Sequence, residues 1–130
     1  MTEKSSLIIE GVTTTPLRKI ENPKGDILHA MKASSLGYVG FGEAYFSTIH
    51  LNESKGWKKH IRMTLNLVVP VGQVKFVIHD DRDDSLSRGK TVEITLSGLN
   101  YKRLTIAPGL WLAFQGKAAG LNLILNIANF

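Results

Sequence analysis

The chain has 130 residues, 16 of them Lys or Arg against 11 Asp or Glu, for a net charge of +5, and it contains no cysteine. That is one domain's length, and disulfides, thiol catalysis and Cys-ligated zinc are excluded. No apolar run approaches the roughly 20 residues of a membrane span, and the polar start Met1–Ser6 lacks the apolar stretch of a secretory signal, so a cytoplasmic protein with no membrane partner is expected.

Short stretches rich in β-branched and aromatic residues follow one another along the chain, separated by turn signals. The first is Leu7–Val12, whose short, apolar, terminal run Leu7-Ile8-Ile9 is a candidate interface strand. Small barrels commonly hide exposed sheet edges against a second copy, so a homodimer is expected. Asn22-Pro23-Lys24-Gly25 then turns the chain into a strand over Asp26–Met31, and Gly42–Leu51 follows. After Ser54-Lys55-Gly56, the alternation over Trp57–Val69 predicts one long strand. Val71-Gly72 leads into Gln73–His79, and Ser87-Arg88-Gly89 into Thr91–Ser97. Arg103–Ile106, the turn Ala107-Pro108-Gly109, Leu110–Phe114 and Leu121–Ile127 complete the series. There is no long amphipathic helix, repeat, linker or low-complexity segment. So many short strands at this spacing predict one all-β domain over 1–130, a sandwich, jelly roll or barrel.

Side chains alternate between faces along a strand. One face of Trp57–Val69 then carries Trp57, Lys59, Ile61, Met63, Leu65, Leu67 and Val69. The other carries Lys58, His60, Arg62, Thr64, Asn66 and Val68. Either the polar stripe faces solvent, as polar strand faces usually do, or it lines a wet cavity inside the barrel; periodicity does not choose. In Gln73–His79, Val74, Phe76 and Ile78 form an apolar face and Lys75, Val77 and His79 a mixed one. The charged run Asp80-Asp81-Arg82-Asp83-Asp84 could bind a metal, but carboxylates in a loop beside an arginine are more often just solvated.

The chemistry of the chain is marked by what is missing. Its four histidines are His29, His50, His60 and His79. A strand-borne metal site commonly places two His one residue apart, but the residue two before His60 is Lys58, whose charge repels a cation; no metal is expected. There is no phosphate loop of the strand-to-helix type and no Gly-x-Ser-x-Gly elbow. The excess of cations favours an anionic partner. With no Lys/Arg-rich block and no recognition-helix pattern, nucleic acid is not expected. A diphosphate needs only two or three cations.

Two stretches carry a resemblance. One runs from Gly42-Glu43-Ala44-Tyr45-Phe46-Ser47 through Lys55-Gly56-Trp57-Lys58-Lys59-His60-Ile61-Arg62-Met63-Thr64 to Pro70-Val71-Gly72-Gln73-Val74-Lys75 and Asp80-Asp81-Arg82. The other is Ile106-Ala107-Pro108-Gly109-Leu110-Trp111-Leu112-Ala113-Phe114. In register over nearly the whole chain, they resemble the dTDP-4-dehydrorhamnose 3,5-epimerase family and its shorter relatives in surface-polysaccharide clusters. The resemblance implies an all-β, cupin-type jelly-roll β-barrel that dimerises partly through exchanged strands. It implies a nucleotide-diphosphate sugar bound inside the barrel, with no metal and no cofactor. A basic residue contacts the diphosphate, a His paired with an Asp removes a proton beside the 4-keto group, and a Tyr on the opposite side returns it. Such chemistry needs a base that titrates near working pH, an acid across the ring and a cation near the developing enolate.

The same resemblance sets the family's Arg-Gly-Leu-His stretch on Lys55-Gly56-Trp57-Lys58, with His60 two residues further on, where close relatives often carry a second His. The histidine of the family's Pro-Glu-Gly-Phe-Ala-His stretch falls on Leu112, and its tyrosine near Leu125 or Asn126, in a segment that holds no Tyr. The partner Asp belongs to a C-terminal segment beyond Phe130. Two functions follow. In the first, the chain is a metal-independent epimerase or ketoisomerase of a nucleotide-diphosphate-linked 4-keto-6-deoxysugar. His60 is then the base, Lys58 the electrostatic stabiliser, Lys55 and Arg62 the diphosphate contacts, Asn66 a further polar contact, and Tyr45 and Trp111 surfaces for a base or pyranose ring. In the second, the chain is a non-catalytic nucleotide-sugar-binding or assembly protein that kept the barrel and lost the acid. The discriminator is whether Lys58, His60, Arg62 and Asn66 face a cavity.

Overall fold

The computed structural model describes residues 8–130. Among them the chain forms eleven strands and no helix: β1 (Val12–Pro16), β2 (Lys19–Ile20), β3 (Ile27–Leu28), β4 (Glu43–Thr48), β5 (Ser54–Lys59), β6 (Leu65–Val71), β7 (Gln73–His79), β8 (Thr91–Ser97), β9 (Lys102–Ile106), β10 (Trp111–Gly116) and β11 (Leu123–Ala128). A first sheet has the order β1-β9-β6-β11-β4 and a second the order β5-β10-β7-β8, with β2-β3 as a separate ribbon. All named pairs are antiparallel. The two sheets enclose one hydrophobic core in a jelly-roll β-barrel, as expected.

Alternation predicts the structure best where one face of a strand is core. Val74, Phe76 and Ile78 of β7 are fully buried, while Lys75, Val77 and His79 look outward. Val92, Ile94 and Leu96 of β8 lie in the same core, each paired across from a β7 core residue. The facing sheet supplies Leu65, Leu67, Val69, Leu104, Ile106 and Ile124. Phe76 meets Phe114 of β10 with ring centroids 5.8 Å apart. Each such buried side chain contributes about 1.5–3 kcal/mol of transfer free energy.

Three expectations are corrected. The chain does not run straight from Trp57 to Val69: β5 ends at Lys59, residues 60–64 bend, and β6 begins at Leu65 in the other sheet. The bend resets the alternation. Trp57 and Lys59 therefore do not share a face with Leu65 and Leu67, and Lys58 does not share one with Asn66. At the start, Ile8 and Ile9 lie in a turn rather than an interface strand, and Ile9 is fully buried in the chain's own core; Leu7 lies outside the described residues. Of Asp26–Met31, only Ile27–Leu28 is strand.

The charged run after β7 is not simply solvated. Asp80 is fully buried and accepts hydrogen bonds from the Arg82 backbone and guanidinium, Ser85 Oγ and Ser87 Oγ. Chiefly through Arg82, these hold its carboxyl well below the usual range, against the opposing effect of burial. Arg82 also donates to the Glu10 carbonyl, tying the turn to the start of the barrel.

A second polar network lies on the outer side of the first sheet. Arg103, 2% exposed, donates to the carbonyls of Ala30 and Leu36 and to Asn66 Oδ1. Asn66 also accepts from Thr105 Oγ1 and donates to the Gly37 carbonyl. These bonds fasten the connection between β3 and β4 over the sheet.

Candidate active site

A cavity of about 440 Å³ opens between the sheets where their edge strands β4 and β5 face each other. Tyr45 and Ser47 of β4 and Asn126 of β11 line it from the first sheet. Lys55, Gly56 and Lys58 of β5, with Leu112 and Phe114 of β10, line it from the second. His60, just past the end of β5, and Leu65, the first residue of β6, complete the wall.

Simple alternation would send Lys55 and Lys58 to opposite faces, three positions being an odd number. A β-bulge brings them together. Leu112 pairs with Lys58 and Phe114 with Lys55, so one residue of β10, Ala113, stands opposite two of β5, Gly56 and Trp57. The extra residue restores a common face for both lysines. Glycine is required at its first position: φ is +136°, and a Cβ there would lie 2.7 Å from that of Ala113. Lys55 reaches across the gap and donates from Nζ to the Thr48 carbonyl at the end of β4, 2.8 Å away.

His60 is placed by its own backbone. Its carbonyl accepts from the Gly109 N–H at 2.7 Å, which pins the bend after β5 to the turn before β10. On the opposite wall, Tyr45 is the register partner of Asn126 and is 45% exposed. Asn126 Nδ2 donates to Ser47 Oγ at 3.4 Å, the long end of a hydrogen bond. Two lysines and a histidine thus line the cavity, and no carboxylate is among its lining residues. A low-dielectric recess with cations and no counter-charge concentrates anions.

The remaining expected site residues lie elsewhere. Arg62 is exposed, and its guanidinium stacks on the Phe130 ring at 4.8 Å. Asn66 points to the outer side of the first sheet and is fully engaged in the Arg103 network. Trp111 is neither in the cavity nor in the core. It faces outward beside Trp57 and His79, its Nε1 donating to Asp81 Oδ2 at 2.9 Å. Lys59 pairs with Asp81 at 2.9 Å and sits over the Trp111 ring. That pairing, then the Trp111 bond, lowers the Asp81 pKa. Among the described residues no group of three or more His, Cys, Asp or Glu side chains is placed to hold a metal ion, and no helix is long and apolar enough to cross a membrane.

Sequence reasoning overlooked Ser47, Gly56, Leu65 and Phe114. Ser47 carries a readable signal, two positions from Tyr45 on one strand, hence on the same face. Phe114 does not, since the bulge beside it leaves no trace in the pattern.

No family model and no curated protein matches the chain, but solved structures do. A dTDP sugar isomerase from Desulfovibrio desulfuricans is 33% identical and superposes with a TM-score of 0.92, over 95% of this chain and 79% of that one. NovW, a 4-keto-6-deoxy sugar epimerase from the novobiocin biosynthetic gene cluster of Streptomyces spheroides, gives a TM-score of 0.83 at 17% identity, over 93% of this chain and 64% of that one. RmlC of Legionella pneumophila, a dTDP-6-deoxy-D-glucose-3,5-epimerase in complex with dTDP-4-keto-L-rhamnose, gives 0.79 at 19% identity, over 91% of this chain and 66% of that one. This chain spans about two thirds of the length of the latter two, and at those identities the likeness is one of fold.

Proposed function

Because the chain belongs to the dTDP-4-dehydrorhamnose 3,5-epimerase family of cupin-type nucleotide-sugar epimerases and isomerases, we propose that it epimerises or isomerises a nucleotide-diphosphate-linked 4-keto-6-deoxysugar in surface-polysaccharide biosynthesis. The observation that carries this reading is the cavity between β4 and β5, with Lys55, Lys58 and His60 on its wall and no carboxylate among its lining residues. His60 is the base that removes the proton from the carbon beside the ketone. The electron pair moves onto the carbonyl oxygen, and the ammonium of Lys58 stabilises the enolate. Lys55, at the mouth, takes the diphosphate. Two cations at these places also disfavour a divalent metal, which the proton transfers do not need. Arg62 and Asn66 have no part in this assignment, because neither lines the cavity.

The test is deuterium incorporation from solvent into dTDP-4-keto-6-deoxyglucose. The wild-type protein should exchange a proton beside the ketone, and His60→Ala should abolish exchange while still binding dTDP. Binding without exchange by the wild type would leave a non-catalytic nucleotide-sugar-binding protein as the better description. The reading includes a homodimer, supported by the exposed Phe41 and Phe46 and by the exposed edge strand β4. Light scattering that reports a monomer at micromolar concentration would remove that part.

A further inference from the structure

Reversing a stereocentre beside a ketone takes two proton transfers on opposite faces of the sugar: one removes the C–H proton, the other delivers a new one. The cavity wall is divided in the same way. His60 and Lys58 reach it from β5 and the bend that follows, on the side of the second sheet, and Tyr45 reaches it from β4 of the first. A flat enolate held between the sheets presents one face to each.

Asn126, near where the resemblance sets the family's tyrosine, is the antiparallel register partner of Tyr45. Residues paired directly in this way project from the same face, with Cβ atoms about 4.5–5.5 Å apart. A phenol at Tyr45 therefore enters the same part of the cavity as a side chain at Asn126, one strand nearer the edge. Of the other lining groups on that wall, Asn126 has no acidic proton, and Ser47 is a weaker acid than a phenol. Among the described residues, the only hydrogen bond to the Ser47 hydroxyl comes from Asn126 Nδ2. Among the described residues, no hydrogen bond engages the Tyr45 hydroxyl.

We infer that Tyr45 is the catalytic acid of this chain, its hydroxyl protonating the enolate carbon on the face opposite His60. The inference rests on the proposed function and adds to it the group that the strand β11 does not supply. The step balances without a co-reactant. The C–H bond breaks to His60, the pair rests on the carbonyl oxygen, and the new C–H bond forms with the proton of Tyr45. The phenolate then regains a proton from water, and the imidazolium returns one.

Tyr45→Phe keeps the ring and removes the proton. Incubated with dTDP-4-keto-6-deoxyglucose in deuterium oxide, the variant should still wash deuterium into the substrate, because His60 can return a solvent-derived deuteron to the face it came from. Conversion to product should fall by about 10²–10⁴-fold, the usual contribution of a positioned acid, with dTDP affinity within about twofold of the wild type. A ring that merely packs would leave the ratio of conversion to exchange unchanged. Conversion by Tyr45→Phe at the wild-type ratio would overturn the role of Tyr45 alone. Absence of exchange by the wild type would overturn the proposed function and this inference with it.

Discussion

Two charged clusters in this barrel have nearly opposite constructions. Around Asp80, a fully buried carboxylate meets a guanidinium and two hydroxyls, and both of its oxygens are bonded. Between β4 and β5, Lys55, Lys58 and His60 converge on an open cavity with no carboxylate among its lining residues. The first cluster consumes its charge internally and holds a turn. The second leaves its charge available to something that comes from outside. A saturated charge is structural and an uncompensated one is a recognition element, and the difference lies in the partners rather than in residue type.

Substitutions can break this contrast, and the largest effect belongs to the saturated cluster. Asp80→Asn leaves Arg82 without its partner in a partly buried position, and should lower unfolding free energy by about 3 kcal/mol or more, read from urea denaturation. The pH dependence has a definite sign. A carboxyl held below its ordinary value stabilises the fold fully above about pH 4, and that stabilisation is lost as pH falls toward the folded-state value. The wild type should therefore lose stability on acidification below about pH 4, and Asp80→Asn should lose less over the same range. Equal slopes would show that other carboxylates govern acid unfolding.

The open cluster should respond in the reverse way. Lys55→Ala should weaken dTDP binding about tenfold or more, as expected for a charge-assisted contact of about 1.5–3 kcal/mol, whereas Lys58→Ala should slow exchange beside the ketone by about 10²–10³-fold with a smaller effect on dTDP. Their unfolding midpoints should stay within the scatter of surface substitutions, about 0.5 kcal/mol. Calorimetry and denaturation on the same samples would separate the two. Arg62→Ala is the smallest expected change, with dTDP affinity within about twofold of the wild type, since its guanidinium rests on Phe130. A loss comparable to that of Lys55→Ala would mean that Arg62 leaves Phe130 to reach the ligand.

How far the molecule was legible in its sequence depends on what each segment buries. β7 and β8 were readable because every second residue enters one core. The segment from Trp57 to Val69 kept its alternation while changing sheets, since five residues of bend without Gly or Pro do not interrupt the pattern. That is why alternation groups Lys58 and His60 with Arg62 and Asn66, although only the first two line the cavity. Asp80 was misread as solvated because its partners, Arg82, Ser85 and Ser87, are ordinary loop residues until a turn folds them onto one carboxylate. Trp111 was set near the cavity by resemblance alone, and the register of β10, with Trp111 opposite Lys59 and His79, turns it outward.

The bulge in β5 has a consequence for how this cavity can change. Elsewhere in a barrel, gaining or losing one residue is absorbed at a loop, and the walls keep their chemistry. Here the extra residue lies between the two lysines, opposite Ala113. Deleting either Gly56 or Trp57 would leave the two lysines two positions apart, and strict alternation would keep both ammonium groups facing inward. The fixed positive charge that β5 gives the recess would be kept, and only the bulge would be lost. A related chain with one residue fewer between two such lysines could therefore carry the same charged wall, and a position-by-position comparison made without gaps would overlook the match.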